Sequence, residues 1–305
     1  MSLRVDRPFT RQQANDAGIT DAMLRRRSAF RRLLRGVYLA EGVPVTLHLW
    51  LLAALLAAPP GSVVSHLTAL RWYGYEQGPL LPLHVSTRGP THSRLDELEV
   101  HRRGARITEY LHHGVPVTGP DRTIVDLARD VSIPRLIEII EWMMGNGFTT
   151  VDRLADYALN RHLHGVRRVR SVLGRVRAGA ESPTESRVRL MLVFARLPEP
   201  ELNVNLCDDD GHWLARGDLC FLTWKVLVEY DGWQHERDAQ QRVNDIARRE
   251  RLEAAGWRLI VITAGDLGRP RQIVHRVHNA LTDRGYAGPR PVMSSQWDTW
   301  FPTRN

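Results

Sequence analysis

The apolar periodicity of residues 179–287 switches repeatedly between the helical and the strand repeat, and few fold classes accommodate the order that results. The spacing predicts a helix over Pro183–Ala195 and strands over Glu201–Asn205, Trp213–Phe221 and Lys225–Tyr230. It continues with a long helix over about Glu236–Ala255, a stop at Gly256, a strand over Trp257–Thr263 and a helix over about Pro270–Arg284. The order αβββαβα describes an α/β sandwich around a central sheet.

Two further segments precede it. Thr10-Arg11-Gln12-Gln13 has capping-box spacing and opens a short helix ending at Gly18. Thr20 caps a second helix, Asp21 to about Ser28, with Ala22 and Met23 on its apolar side and Arg25, Arg26 and Arg27 on its outer side. Phe30–Leu34 and Val37–Leu39, broken at Arg35-Gly36, read as a hairpin. Together these predict a winged helix-turn-helix over residues 1–44, with a plain helical cap as the alternative. Residues 45–178 read as a mixed α+β region that ends in a basic helix, 164–177, packed through Val166, Val169, Val172, Leu173 and Val176. The chain is thus expected to be a multi-domain α/β protein: 1–44, 45–178, 179–287 and a tail, 288–305, whose Trp297, Trp300 and Phe301 pack on something.

Charge locates the candidate binding surfaces. Net charge is +8, and of 42 basic residues only Lys225 is a lysine. The excess sits in two blocks, +5 over residues 1–44 and +6 over residues 161–180, while the rest is close to balanced. Such blocks fit a chain that meets a polyanion at particular surfaces, and a solvated arginine face is the plain alternative. Arg25, Arg26, Arg27, Arg35, Arg167, Arg168 and Arg170 are the candidate DNA-binding residues. The longest apolar run, Leu49–Pro60, is too short to span a bilayer, and no signal peptide is visible. Two cysteines make no disulfide framework, so a cytoplasmic protein with no membrane partner is expected.

Chemistry concentrates in Arg216-Gly217-Asp218-Leu219 and Val228-Glu229-Tyr230-Asp231. If these strands form a hairpin turning between Thr223 and Trp224, Asp218 falls opposite Glu229. The period of two then places Lys225, Leu227, Glu229 and Asp231 on one face. Like charges directly opposite are destabilising, and carboxylates among valines are costly to bury unpaired. A divalent cation, Mg²⁺ or Mn²⁺, held by Asp218 and Glu229 removes both problems. The alternative is that these acids are exposed or pair with Arg216 and Arg248. Ser182-Pro183-Thr184-Glu185 fits a capping box with proline at the first helical position. Asp245 and Arg248 have the spacing of an intrahelical pair, and Arg248 is also a candidate phosphate-binding residue.

Asp218, Glu229-x-Asp231-Gly232, His235 and Asp245-x-x-Arg248-x-x-x-Leu252-x-x-x-Gly256-Trp257 resemble the PD-(D/E)xK nuclease superfamily. Within it, the pattern is similar to the endonuclease-like domains related to very-short-patch-repair (Vsr) endonucleases, and the likeness covers about residues 180–285. It implies that Asp218 and Glu229 hold the metal. Glu185 approaches the metal from the first helix, Asp231 adds a third acid, and His235 stands at the position of an active-site histidine. Two departures stand out: Gly217 replaces the proline before the aspartate, and Asp231 stands where a catalytic lysine is usual.

A second resemblance covers about residues 5–160. Phe9-Thr10-x-x-Gln13-Ala14-x-x-x-Gly18, Arg35-Gly36-Val37-Tyr38, Ser65-His66-x-x-Ala69, Gly114-Val115-Pro116-Val117-Thr118 and Asp121-Arg122-Thr123-x-x-Asp126-Leu127-Ala128 look like AbiEi-type antitoxins, the autoregulators of type IV toxin–antitoxin systems. It implies DNA binding by the N-terminal winged helix and a cognate toxin as a partner. The combined expectation is a DNA-binding protein with a metal-dependent endonuclease domain that hydrolyses phosphodiesters. Its rival is a non-catalytic regulator or antitoxin with a degenerate nuclease fold.

Overall fold

The computed structural model describes residues 3–90, 95–104, 107–232 and 239–304. It is a mixed α/β structure that divides into two compact units, Met1–Arg129 with Asn160–Val166, and Asp130–Leu159 with Arg167–Asn305. The region expected at 45–178 is therefore shared between them.

The first unit begins with β1 (Phe9–Thr10), α1 (Arg11–Asp16), α2 (Asp21–Leu24), β2 (Phe30–Leu34) and β3 (Val37–Ala40). The capping box forms as expected: Thr10 Oγ1 accepts from the Gln13 amide at 3.2 Å, and Gln13 Oε1 accepts from the Thr10 amide at 2.8 Å. Gly36, at φ +82°, turns the β2–β3 hairpin, and the strands order as β1-β3-β2. Phe9, Ala14 and Leu24 are buried beneath them, with the half-buried Phe30 and Tyr38 packed against them. The second helix corrects the sequence reading. It stops at Leu24, so Arg25, Arg26 and Arg27 lie beyond it, and Ala22 and Met23 are exposed. Leu24 alone of α2 is buried, and Arg25 to Ser28 supply no apolar residue to anchor another turn, so tertiary packing cannot sustain one.

The unit continues with α3 (Leu47–Ala57), β4 (Val63–Val64), α4 (His66–Trp72), β5 (Leu83–Thr87), β6 (Leu98–Arg102), β7 (Glu109–His112), β8 (Val115–Thr118) and α5 (Pro120–Leu127). The strands form a mixed five-stranded sheet, β6-β5-β4-β8-β7. Helix α3 is apolar all round because it is covered on two sides. Ala53 packs with the β2–β3 hairpin, and Ala54 packs with Leu83, Val85 and Leu98 of the second sheet.

The second unit contains α6 (Ile133–Gly145), α7 (Val151–Leu159), α8 (Val166–Val172), α9 (Pro183–Phe194), β9 (Glu201–Cys207), β10 (Trp213–Phe221), β11 (Val226–Asp231), α10 (Ala239–Ala254), β12 (Arg258–Thr263), α11 (Pro270–Asp283) and α12 (Ser295–Trp300). From α9 to α11 the order is the αβββαβα read from the sequence. The sheet is β12-β11-β10-β9, antiparallel except for the parallel β11–β12 pair bridged by α10. Helix α10 packs on β10 and β12, while α9 and α11 pack on β11. Covered on both faces, β11 buries Val226, Leu227 and Val228 in succession rather than alternately. The tail docks within this unit, where Trp297 is buried and donates Nε1–H to the Met191 carbonyl of α9 at 3.0 Å.

Inside the second unit Arg189 is fully buried and holds two acids. It pairs with the equally buried Glu141 of α6 and with Glu199 Oε1 at 2.6 Å. Arg177 completes the network, its amide on Glu141 Oε1 and its guanidinium on Glu199 Oε2, each at 2.8 Å.

Candidate functional site

The carboxylates of the second unit come together because of strand register. Strands β10 and β11 pair Leu219 with Val228, Cys220 with Leu227 and Phe221 with Val226. One more step brings Asp218 level with Glu229. The turn is a 3-10 segment, Leu222–Trp224, closed by Lys225 in the left-handed conformation at φ +47°. Asp218 Oδ2 accepts the Tyr230 N–H at 3.0 Å. Burial, with the nearby Glu185 and Glu229 carboxylates, pushes Asp218 up to about 7, against the lowering pull of the Tyr230 amide and Arg248.

Glu185 is buried on the first turn of α9. Ser182 Oγ accepts from the Glu185 amide at 3.1 Å, and Glu185 Oε2 accepts from the Glu181 amide and from Asn203 Nδ2, both at 3.0 Å. The residue therefore serves the helix start and also adds a negative charge near Asp218. Arg248 of α10 grips Glu229 with both terminal nitrogens, one at 2.9 Å, and also reaches the Arg216 carbonyl at 3.3 Å. The Glu229 hydrogen bond raises the Arg248 pKa further. Asp231 and Asp245 line the same cleft as Asp218, Glu229 and Arg248. His235 lies outside the described residues.

The glycine before Asp218 and the position of the single lysine acquire a structural account. A Cβ on Gly217 would stand 2.6 Å from Leu227 Cδ1 and 2.7 Å from Cys220 Sγ, so this position accepts no side chain without repacking. Lys225 sits at the far end of β11, roughly 13 Å of extended strand from Glu229. Its ammonium donates to the Ala255 carbonyl at 3.1 Å, at the C-terminal end of α10. The lysine is thus committed to a helix end and does not reach the cleft.

The expected arginine surfaces are present in part. Arg25, Arg26, Arg27 and Arg35 are exposed, the last at the hairpin turn. The basic helix is shorter than 164–177: α8 ends at Val172 and a 3-10 turn follows over Leu173–Arg175. Its buried valines match the expected stripe, and Arg167 is exposed. Arg170 is exposed, and its guanidinium donates to the Ala158 carbonyl. Arg168 is only half-exposed.

A polar cluster in the first unit was not legible as one. His66, at φ +53°, is buried at the start of α4. Its ring stacks on His101 with centroids 3.6 Å apart. His66 Nε2 meets Arg103 Nη2 at 2.8 Å and Nδ1 meets Ser65 Oγ at 2.9 Å. A guanidinium only donates, so Nε2 accepts and Nδ1 carries the ring proton. Arg103 also pairs with Asp126 at 3.1 Å, and Asp126 accepts from Arg122 Nε. Burial pushes His66 down to about 2 and His101 down to about 4, so both rings are neutral. The Ser65-His66 and Arg122…Asp126 motifs therefore meet in one network, to which β5 and β6 add His84 and His101 and the residue after β6 adds Arg103.

Among the described residues, two groups of three donors lie within 4.8 Å of one another: His66, His84 and His101, and Asp208, Asp210 and His212. Asp218 and Glu229 do not close into such a group with a third described acid. No described helix is long and apolar enough to cross a membrane.

No family model matches the chain. Over 261 residues it is 27% identical to an uncharacterized protein, MT2308, of Mycobacterium tuberculosis strain CDC 1551 / Oshkosh, a match that spans 84% of this chain and 94% of the relative. The same figures hold for an uncharacterized protein, Rv2248, of strain ATCC 25618 / H37Rv. The likeness therefore runs through both compact units rather than one.

Proposed function

We propose that the chain is a DNA-binding protein whose second unit is an endonuclease-like, metal-dependent phosphodiester hydrolase, and whose residues 1–44 act as a winged helix. The observation that carries this reading is the meeting of Asp218, Glu229 and Asp231 of β10 and β11 in one cleft with Arg248, while Glu185 of α9 lies near enough to join burial and Glu229 in pushing Asp218 up to about 7. A hard divalent cation suits an all-oxygen donor set, and Mg²⁺ or Mn²⁺ beside Asp218 and Glu229 would supply charge to polarise a phosphate. The donors fit in kind. For Glu229 to bind, Arg248 has to release a carboxylate oxygen and is then placed to meet a phosphate. The exposed arginines at 25–27 and 35 supply the sequence-independent attraction to DNA.

A second reading is favoured by the same Arg248–Glu229 pair together with the distant Lys225. In it the sheet is a binding module of a regulator or type IV antitoxin, with a toxin protein as partner. The two are separated by incubating the full chain with supercoiled plasmid, with and without Mg²⁺ or Mn²⁺, beside Asp218→Ala. Metal-dependent nicking that disappears in the variant supports the hydrolase. DNA binding with no nicking by either protein supports the regulator.

A further inference from the structure

We propose that His84, His101 and Glu99, in the first unit, form a binding site for a zinc-class transition-metal ion. The proposal is independent of the carboxylate cleft. It rests first on register: the parallel β5–β6 pair sets His84 opposite Glu99 and Ser86 opposite His101. Because side chains alternate along a strand, His84, Glu99 and His101 all project from one face. The sheet thus brings two imidazoles and a carboxylate together without help from any loop.

The distances suit an ion. His84 Nδ1 and His101 Nε2 are hydrogen-bonded at 3.0 Å, a contact that an ion would replace. Glu99 Oε2 lies 3.6 Å from the first nitrogen, and Oε1 lies 3.7 Å from the second. These carboxylate separations are too long for hydrogen bonds. For metal–ligand bonds of about 2.0–2.1 Å, neighbouring ligands of a tetrahedral ion stand roughly 3.3–3.4 Å apart. The three observed separations bracket that value. Two imidazoles with one carboxylate is a donor set that Zn²⁺ accepts, leaving a fourth position for water, whereas Mg²⁺ prefers oxygen alone.

The surroundings assign the remaining residues. His66 has both ring nitrogens engaged, by Arg103 and Ser65, so it acts as the wall on which His101 is stacked rather than as a ligand. Its left-handed backbone is a strained conformation for a residue with a side chain, and such strain gathers at sites that need a ring held in one place. Glu99 places a negative charge beside the two imidazoles and opposes the positive charge of Arg103, which is itself partly neutralised by Asp126. The exposed Asp208, Asp210 and His212 group lies in a hydrogen-bonded turn, with the Asp210 amide on Asp208 Oδ1 at 3.0 Å, and serves as the control.

The test uses the full chain, stripped with a chelator and titrated with Zn²⁺ against a chromophoric competitor, and separately with Co²⁺. The expected result is one equivalent of Co²⁺ with the intense visible bands of a four-coordinate ion. Zn²⁺ affinity should fall at least about tenfold in Glu99→Gln and further in His84→Ala. His212→Ala should leave it unchanged. Glu99 is an exposed side chain and its amide is the same size, so this variant keeps the test decisive if His84→Ala fails to fold. Undiminished affinity in Glu99→Gln, abolished binding in His212→Ala, or a Co²⁺ spectrum of a six-coordinate aquo ion would each overturn the proposal.

Discussion

Replacing Asp218 by asparagine should make the second unit more stable at pH 8 and leave it nearly unchanged at pH 4. The folded protein holds the Asp218 proton to about pH 7, against 3.8 for an ordinary aspartate. Between those values the folded state keeps a proton that the unfolded chain has released. Stability therefore falls as pH rises through that window and is level above it. At 1.36 kcal/mol for each pH step, the full window corresponds to about 4 kcal/mol, and partial solvation of the cleft brings the expected figure to about 2–3 kcal/mol. Asparagine has no proton to release. Its Oδ1 can still accept the Tyr230 N–H, and it removes a charge from beside Glu185 and Glu229. Native-state hydrogen exchange at β10 and β11 amides, read at both pH values, isolates this unit from the first. Added Mg²⁺ should stabilise the wild type at pH 8 and not the variant, because a ligand bound only by the folded state stabilises it by mass action. A destabilisation of more than about 1 kcal/mol at pH 8 would refute the reasoning. It would make Asp218 a structural partner of the Arg248 cluster, and the hydrolase reading would go with it.

Reversing Arg25 and Arg26 to glutamate should weaken DNA binding. The log–log salt slope should become shallower by roughly 1 for each phosphate that these arginines no longer neutralise, measured by fluorescence anisotropy across a salt series. Arg189→Met should destabilise the second unit by about 3–5 kcal/mol in denaturant melts, because Glu141 is left buried without its cation. Adding Glu141→Gln should recover part of that stability, and equal stability of the single and double variants would mean that the pair is not coupled. Gly217→Ala should cost about 1–3 kcal/mol by the same melts, since its methyl meets Leu227 and Cys220.

Legibility in the sequence followed how local each signal was. The αβββαβα order and the Asp218–Glu229 register were readable because period, turn and stop residues lie within a few positions of one another. The second helix was misread because three arginines in a row fit a helix by propensity, and only the absence of a buried partner beyond Leu24 ends it. Strands β4 and β7 were missed: β4 is two residues long, and β7 exposes Tyr110 and Leu111, so its composition carries no burial pattern. The histidine cluster depends on a parallel pairing of β5 with β6, which no turn announces. Its one sequence signal was the polar pair His84-x-Ser86 set in a strand that otherwise buries leucine and valine. Arg170 shows the limit of charge counting. It belongs to the most basic stretch of the chain and is exposed, yet its guanidinium also donates to the Ala158 carbonyl.

What separates the two functional readings is the kind of cation each position needs. Arg248 neutralises Glu229, and a guanidinium that is always charged cannot take up a proton, so it can hold or orient a phosphate but not act as a base. The one side chain of the usual type, Lys225, stands at the end of α10 with its ammonium on a carbonyl. Any hydrolysis here must place its proton on another group. His235, on the strength of the resemblance, is the candidate, because Asp218 is committed to the cation in the proposed reaction. The pH dependence of nicking then carries the assignment. A rate that rises through pH 7 in the wild type and persists in Arg248→Gln puts the base elsewhere in the cleft. A rate abolished by Arg248→Gln at every pH makes the arginine the group that holds the scissile phosphate.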